Sequence, residues 1–204
     1  MKKLWRFSIL CILILLQANP AEAMPADPSL LKSLQQGGYI LYVRHGDATV
    51  GTDSPSINFN DCSTQRNLSE AGRNQAVSYG NALRQLHIPV QVPVVASPFC
   101  RTKETAELAF GAGNVRTDPF WVQIYQLSGS VPPAQQEAVL KALSAQLEIP
   151  PSPGTNKVIV AHSFPPGVGL GEIKSLGTVV IKPNGQGNGY GIEGRFDLNE
   201  LSSP

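Results

Sequence analysis

The sequence predicts an α/β protein built on a largely parallel sheet with helices on both faces. Three observations carry this. Short apolar runs at "YILYV" (39–43), "VPVVAS" (92–97) and "KVIVA" (157–161) alternate with segments of helical periodicity, the pattern of strands joined by helical crossovers. The runs are apolar almost throughout, as strands buried on both faces require. Each run is followed at once by polar chemistry: Arg44-His45 after the first, Ser97-Pro98 with Arg101 after the second, His162 after the third.

Taken in order, the chain opens on Lys2, Lys3 and Arg6, an apolar stretch "FSILCILILL" and a small-x-small "AEA" at 21–23, the pattern of a secretory signal peptide over residues 1–23. The stretch is well short of the roughly 20 apolar residues a membrane span needs. Cys11 lies within it with no small-residue lipobox before it, and reads as apolar filler. Residues 24–204 then form one domain, long enough for a substantial core. Of 16 basic and 15 acidic residues, Lys2, Lys3, Arg6 and Glu22 fall in the leader, so 13 and 14 remain, without the basic footprint of a nucleic-acid binder.

Asp27-Pro28 starts a helix that buries Leu30, Leu31 and Leu34 and stops at Gly37-Gly38. After the first strand, residues 44–68 are polar and aperiodic, a loop of the length that usually serves function. Ser69 caps a helix with Ala76, Tyr79, Leu83 and Leu86 at helical spacing, and His87 at its end balances the dipole. Pro98 opens a helix to about Ala109, and Pro132-Pro133 precede another that carries Val139, Leu140, Leu143 and Leu147. "GTVVIKP" and "YGIEGRFDL" flank the glycine-rich "NGQGNG" and predict a hairpin at one edge of the sheet. Loops 48–68, 111–130 and 164–176 read as irregular.

In open α/β sheets, ligands bind outside the carboxyl ends of the strands. Arg44, His45, Arg101 and His162 are therefore led to one rim, where they would repel one another unless an anion joined them. A phosphoryl group has oxygens for all of them, and the planar fork of arginine suits such oxygens. Arg101, in the first turn of its helix, adds free backbone N–H groups and the helix dipole to this expectation. A neutral histidine beside arginines can also attack phosphorus. A metal site is a poor fit to Asp47, Asp61 and the histidines, because the arginines would repel the cation. Cys62 and Cys100, two cysteines in an exported chain, suggest a disulfide tying the long loop to the Arg101 helix, with two free thiols as the alternative. Arg66 and Gln65 in that loop either contact substrate or pin the loop.

"RHG" at a strand end, "SPFCRTKETA" opening a helix and "VIVAHS" at a later strand end together resemble the histidine phosphatase superfamily, also called phosphoglycerate mutase-like, over about Tyr39 to Leu198. The resemblance implies a three-layer α/β/α sandwich and a cofactor-free, metal-free phosphohistidine mechanism. In it His45 is the nucleophile, Arg44 and Arg101 clamp the phosphoryl oxygens, and His162 completes the pocket. "CSTQRNLSEAGRNQA" (62–76) and the leader look most like small exported members, some acting on phosphorylated lipopolysaccharide sugars, so the expected partner is a small phosphorylated substrate such as a phosphosugar, met in the periplasm or outside the cell. No nucleic acid and no membrane insertion of the mature chain are expected. The resemblance leaves one gap. Where many members carry a glutamate proton donor, this chain reads "FWVQIYQLSGS" (120–130), and Asp118 and Glu172 are the nearest carboxylates, on no matched motif. A phosphoryl-binding protein with reduced or lost turnover is the alternative this gap leaves open.

Overall fold

The computed structural model describes residues 27–202, so the leader and its cleavage site lie outside the described residues. A six-stranded sheet runs in the order β3-β2-β4-β1-β5-β6. Its strands are β1 (Ile40–Arg44), β2 (Val90–Ala96), β3 (Val115–Thr117), β4 (Asn156–Ala161), β5 (Thr178–Pro183) and β6 (Tyr190–Phe196). The pairs β2–β3, β2–β4 and β1–β4 are parallel, while β1–β5 and β5–β6 are antiparallel. The expected hairpin thus closes one edge of a mostly parallel sheet.

The helices are α1 (Pro28–Gln36), α2 (Glu70–Gln85), α3 (Cys100–Phe110), α4 (Val122–Gln126), α5 (Pro133–Leu147) and α6 (Leu198–Ser202). Strand residues alternate between two cores. Leu41, Val43, Val94, Ala96, Val158, Val160 and Val180 pack with α1, α2, α3 and α6 on one face. Ile40, Tyr42, Val95, Ile159, Ala161, Val179 and Ile181 pack with α4, α5 and the segment through Phe164 and Leu170 on the other. Both faces of the sheet are therefore dry, the three-layer α/β/α arrangement, and that is why the strands read as unbroken apolar runs.

Local chemistry sets the element ends. The Asp27 carboxylate accepts from the Ser29 N–H, and the Ser69 hydroxyl accepts from the Gly72 N–H, each satisfying a first-turn donor. On α2, Ala76, Tyr79 and Leu83 are buried at helical spacing. Truncating Leu83, 1% exposed, to alanine would cost about 2–5 kcal/mol. The expected α3 start at Pro98 is corrected to Cys100, and residues 111–130 are not irregular: they hold β3, two short 3₁₀ turns and α4. Three residues of edge strand and a five-residue helix carry too little periodicity to be read from sequence.

Candidate active site

Parallel pairing of β2, β4 and β1 aligns three carboxyl ends. Arg44 stands opposite Ala161 and Ala96 opposite Val160, so His45 and His162 emerge at one level, with Ser97 one step before them, level with Ala161. The rim is tied by backbone bonds, His45 N–H to Ala161 O at 3.1 Å and Ser97 N–H to Val160 O at 3.0 Å. The two imidazoles lie 5.7 Å apart between ring centres, nearly perpendicular.

His45 is 3% exposed. Its Nδ1 lies 2.7 Å from the carbonyl oxygen of Gly46, which can only accept, so Nδ1 carries the proton and Nε2 keeps its lone pair. Burial, then the nearby charge of Arg101, hold its pKa down to about 3, against the Gly46 bond that pulls the other way. His162, also buried, is held well below the usual histidine range by burial, His45 and Arg101. Its Nε2 lies 3.0 Å from the Ser97 hydroxyl, and its carbonyl accepts from Tyr42 Oη at 2.8 Å. Both histidines are thus neutral at physiological pH.

The turn after His45 needs two glycines. A Cβ on Gly46 would stand 2.6 Å from the Gly72 carbonyl oxygen, and one on Gly72 would stand 2.0 Å from that of Asp47. This close approach seats the N-terminus of α2 directly under the strand end. Asp47 is consumed in the same joint, its carboxylate accepting from the Ser69 hydroxyl at 2.6 Å. Among the described residues, no three His, Cys, Asp or Glu side chains converge as a metal-holding group.

Two guanidiniums flank the histidines. Arg44 donates from Nη1 to the Ile173 carbonyl at 2.8 Å. Arg101, wholly buried, lies with its guanidinium carbon 4.4 Å from the Phe99 ring centre. Among the described residues, Arg44 Nε and Arg101 Nε are two of the three buried polar side-chain atoms without a hydrogen-bond partner. An unpaired buried N–H on a charged group is costly unless a ligand completes it, and an anion is the ligand both lack.

Sequence reasoning missed the carboxylate at the centre of this cluster. Asp53, in the long loop, meets Arg101 with both oxygens, at 2.9 and 3.2 Å, and accepts from Tyr125 Oη at 3.1 Å and the Arg66 N–H at 2.9 Å. Burial raises its pKa, but the Arg66 N–H, Arg101 and Tyr125 outweigh that and hold it below the usual carboxylate range. Tyr125 is pushed up by burial and by Asp53, so its hydroxyl stays protonated. No sequence period marks Asp53. Its only signal is that it lies between Asp47 and Asp61 in a loop too long to be a mere connector.

The other predicted residues separate. Gln65 is 1% exposed and fully engaged, its Oε1 accepting from the Cys100 N–H at 2.8 Å and its Nε2 donating to the Asn58 carbonyl at 2.9 Å. It pins the loop to the start of α3, the second of the two readings that the sequence left open for it. The same bond, with the Thr102 and Lys103 N–H groups given to the Phe99 carbonyl, occupies three of the first backbone donors of α3. Arg66 stays at the cluster, its Nη1 donating to the Ala48 carbonyl and its own carbonyl accepting from Arg101 at 3.0 Å. Cys62 and Cys100 are bonded as a disulfide, tying the loop to α3.

Neither carboxylate proposed from sequence as proton donor meets the histidines. Asp118 accepts from the Phe120 N–H at 2.9 Å and caps the 3₁₀ turn there. Glu172 is exposed, on a shallow depression it shares with Arg44, Ser163, Ile173 and Lys174.

Among solved structures, the fold resembles a phosphoserine phosphatase of Entamoeba histolytica in complex with 3-phosphoglyceric acid, at 14% identity over 80% of this chain and 98% of that one, with a TM-score of 0.51. Similar too are the protein histidine phosphatase SixA complexed with tungstate (17% identity, 80% of this chain and 99% of that one, TM-score 0.48) and a mycobacterial glucosyl-3-phosphoglycerate phosphatase (18%, 77% and 98%, 0.47). At such identities the likeness is one of fold. No curated protein matches. The stretch from β1 through the turn before α4, residues 40–121, which holds Arg44, His45, Asp53, Arg66 and Arg101, matches the family model of the histidine phosphatase superfamily (branch 1).

Proposed function

We propose that this chain is a metal-independent phosphatase of the histidine phosphatase superfamily, hydrolysing phosphomonoesters through a phosphohistidine on His45. The observation that carries this is the pairing of a buried, neutral histidine, its Nε2 lone pair free, with two buried guanidinium N–H groups that lack partners. A phosphoryl group supplies those partners and the electrophile together.

In the first step His45 Nε2 attacks phosphorus and the P–O bond to the alcohol breaks, while Arg44 and Arg101 hold the equatorial oxygens as their charge rises. The leaving oxygen takes a proton from Asp53. Asp53 is ionised while Arg101 holds it, but phosphoryl oxygens that take over Arg101 remove its charged partner and set an anion beside it, and both changes raise its pKa. In the second step Asp53 accepts a proton from water, which attacks phosphorus and breaks the N–P bond. His162, held by Ser97, lines the pocket without a charge that would compete for the oxygens.

The leader over residues 1–23 supports export, which amino-terminal sequencing of the protein recovered outside the cytoplasm would test. The catalytic reading is tested with an aryl phosphate: the protein should form an acid-labile phosphoprotein and release phosphate, and His45→Ala should do neither. A variant that retained hydrolysis would overturn it. The alternative, a phosphoryl-binding protein, draws on Asp53 occupying the fork of Arg101, and it predicts ligand retention with no labelling.

A further inference from the structure

Beside the phosphoryl cluster lies a cleft of about 570 Å³, within the size range of small-molecule sites. Asp53, Phe99 and Tyr125 belong to both, so the wall of the cleft is also the wall of the histidine pocket. Phe99 packs edge-on against His162 at 4.8 Å and tilted against Tyr125 at 4.6 Å, and Phe59 extends the row at 5.2 Å from Phe99. Ile57 and Val122 add aliphatic surface. Phe59 remains 38% exposed, an aromatic ring with a face unspent in packing.

The charge of the cleft is as informative as its shape. No lysine, arginine or histidine lines it, and its one charged group is the Asp53 carboxylate. A second phosphate or carboxylate on a substrate would meet no cation along the cleft, because the guanidinium nearest to it, that of Arg101, lies at the phosphoryl end and is paired with Asp53. A flat, uncharged ring would instead stack on the aromatic row and leave Asp53 to face the ester oxygen.

We propose that this cleft is the leaving-group subsite, and that it selects monoesters carrying a single phosphate on an uncharged, ring-bearing alcohol while rejecting polyanionic phosphates. The proposal rests on the phosphatase reading for the position of the phosphoryl group. Specificity here comes from a difference of affinities, ring stacking for one class and a second anion left without a cation for the other.

Phosphonates, which cannot be hydrolysed, test it independently of turnover. Binding of benzylphosphonate, methylphosphonate and methylenebisphosphonate to the intact protein is measured by calorimetry. Benzylphosphonate should bind at least tenfold more tightly than methylphosphonate, and methylenebisphosphonate no more tightly than methylphosphonate. Phe59→Ala, at a partly exposed position, should shrink the benzyl-to-methyl ratio at least fivefold, and Ile57→Lys should raise affinity for the bisphosphonate. Equal binding of the benzyl and methyl compounds, or tightest binding of the bisphosphonate, overturns the subsite while leaving the phosphatase reading in place. Failure of all three to bind overturns both.

Discussion

Asp53 and Arg101 form a two-pronged ion pair, Oδ1 to Nη1 at 2.9 Å and Oδ2 to Nη2 at 3.2 Å, on an arginine with no exposed side-chain surface. Three arginines gathered at one rim call for an anion, and Asp53 supplies one from within the fold. Asp53 stands where the aromatic cleft meets the phosphoryl cluster, the place that the proposed reaction gives to the leaving oxygen.

The first prediction follows from that position. Asp53→Asn should lower kcat for an alkyl phosphate by about 10²–10⁴, the usual contribution of a proton donor. It should lower kcat far less for p-nitrophenyl phosphate, whose leaving group needs no proton. Asp118→Asn should stay within about threefold of wild type on both, since that carboxylate is spent on capping the 3₁₀ turn at Phe120. Steady-state rates across a series of leaving groups check this. An equal loss on both substrates would make Asp53 a positioning residue for Arg101 only.

A second prediction concerns pH. With His45 held down to about 3, the nucleophile stays neutral well into the acid range, so rapid-quench labelling at pH 4.5 should form phosphoenzyme as completely as at pH 7. The stability consequence has a definite sign. An unfolded histidine takes up a proton below about pH 6.5, and the folded one refuses it until about 3, so the unfolded state binds more protons in between. Stability is therefore full above about pH 6.5 and is lost as pH falls, at up to roughly 1.4 kcal/mol per pH unit for each such histidine. His162, lowered in the same direction, adds to the slope. Denaturant unfolding at pH 7.5 and pH 5 should reveal this loss, and His45→Gln should make it smaller.

Much of this site could be read from residue order alone, and the reason is physical. His45, Ser97 and His162 each follow a strand that is apolar enough to be seen, and parallel pairing of β1, β4 and β2 does the rest. Asp53 escaped because a loop has no period, and its place is set by contacts over 48 residues to Arg101 and 72 to Tyr125. For Gln65 the sequence left substrate contact and loop pin open alike. Its amide turned out to be spent on the α3 start, where Phe99 offers no side-chain cap. The short β3 and α4 were invisible for want of length, and α4 carries Tyr125.

A third prediction tests the joint beneath the nucleophile. Gly72→Ala places a methyl 2.0 Å from the Asp47 carbonyl, a backbone atom that cannot swing aside, so α2 and the strand end must part. Overpacking of this kind costs about 1–3 kcal/mol. The displacement should reach His45 through Gly46 and reduce phosphoenzyme formation more than tenfold at temperatures where circular dichroism still reports a folded protein. Thermal melts alongside single-turnover labelling separate the two effects. A variant with lowered Tm and unchanged labelling would mean that the joint is structural only.

The last prediction turns on the bond between Cys62 and Cys100, which spans 38 residues and fastens the loop bearing Asp53 and Arg66 to the helix bearing Arg101. Closing a loop of that length limits the unfolded chain by about 4 kcal/mol in the chain-entropy model. Replacing both cysteines with serine should therefore lower Tm by roughly 10 °C for a domain of this size. The loop is not released outright, because Gln65 still meets the Cys100 backbone and Asp53 still meets Arg101. What it loses is register at the Arg101 fork. The double variant, assayed well below its Tm, should show a raised KM for aryl phosphates, with kcat reduced less than in Asp53→Asn. The wild-type protein treated with reductant should move the same way, and should recover on reoxidation. An unchanged KM in both samples would confine the disulfide to stability and leave the ordering of the cluster to Gln65.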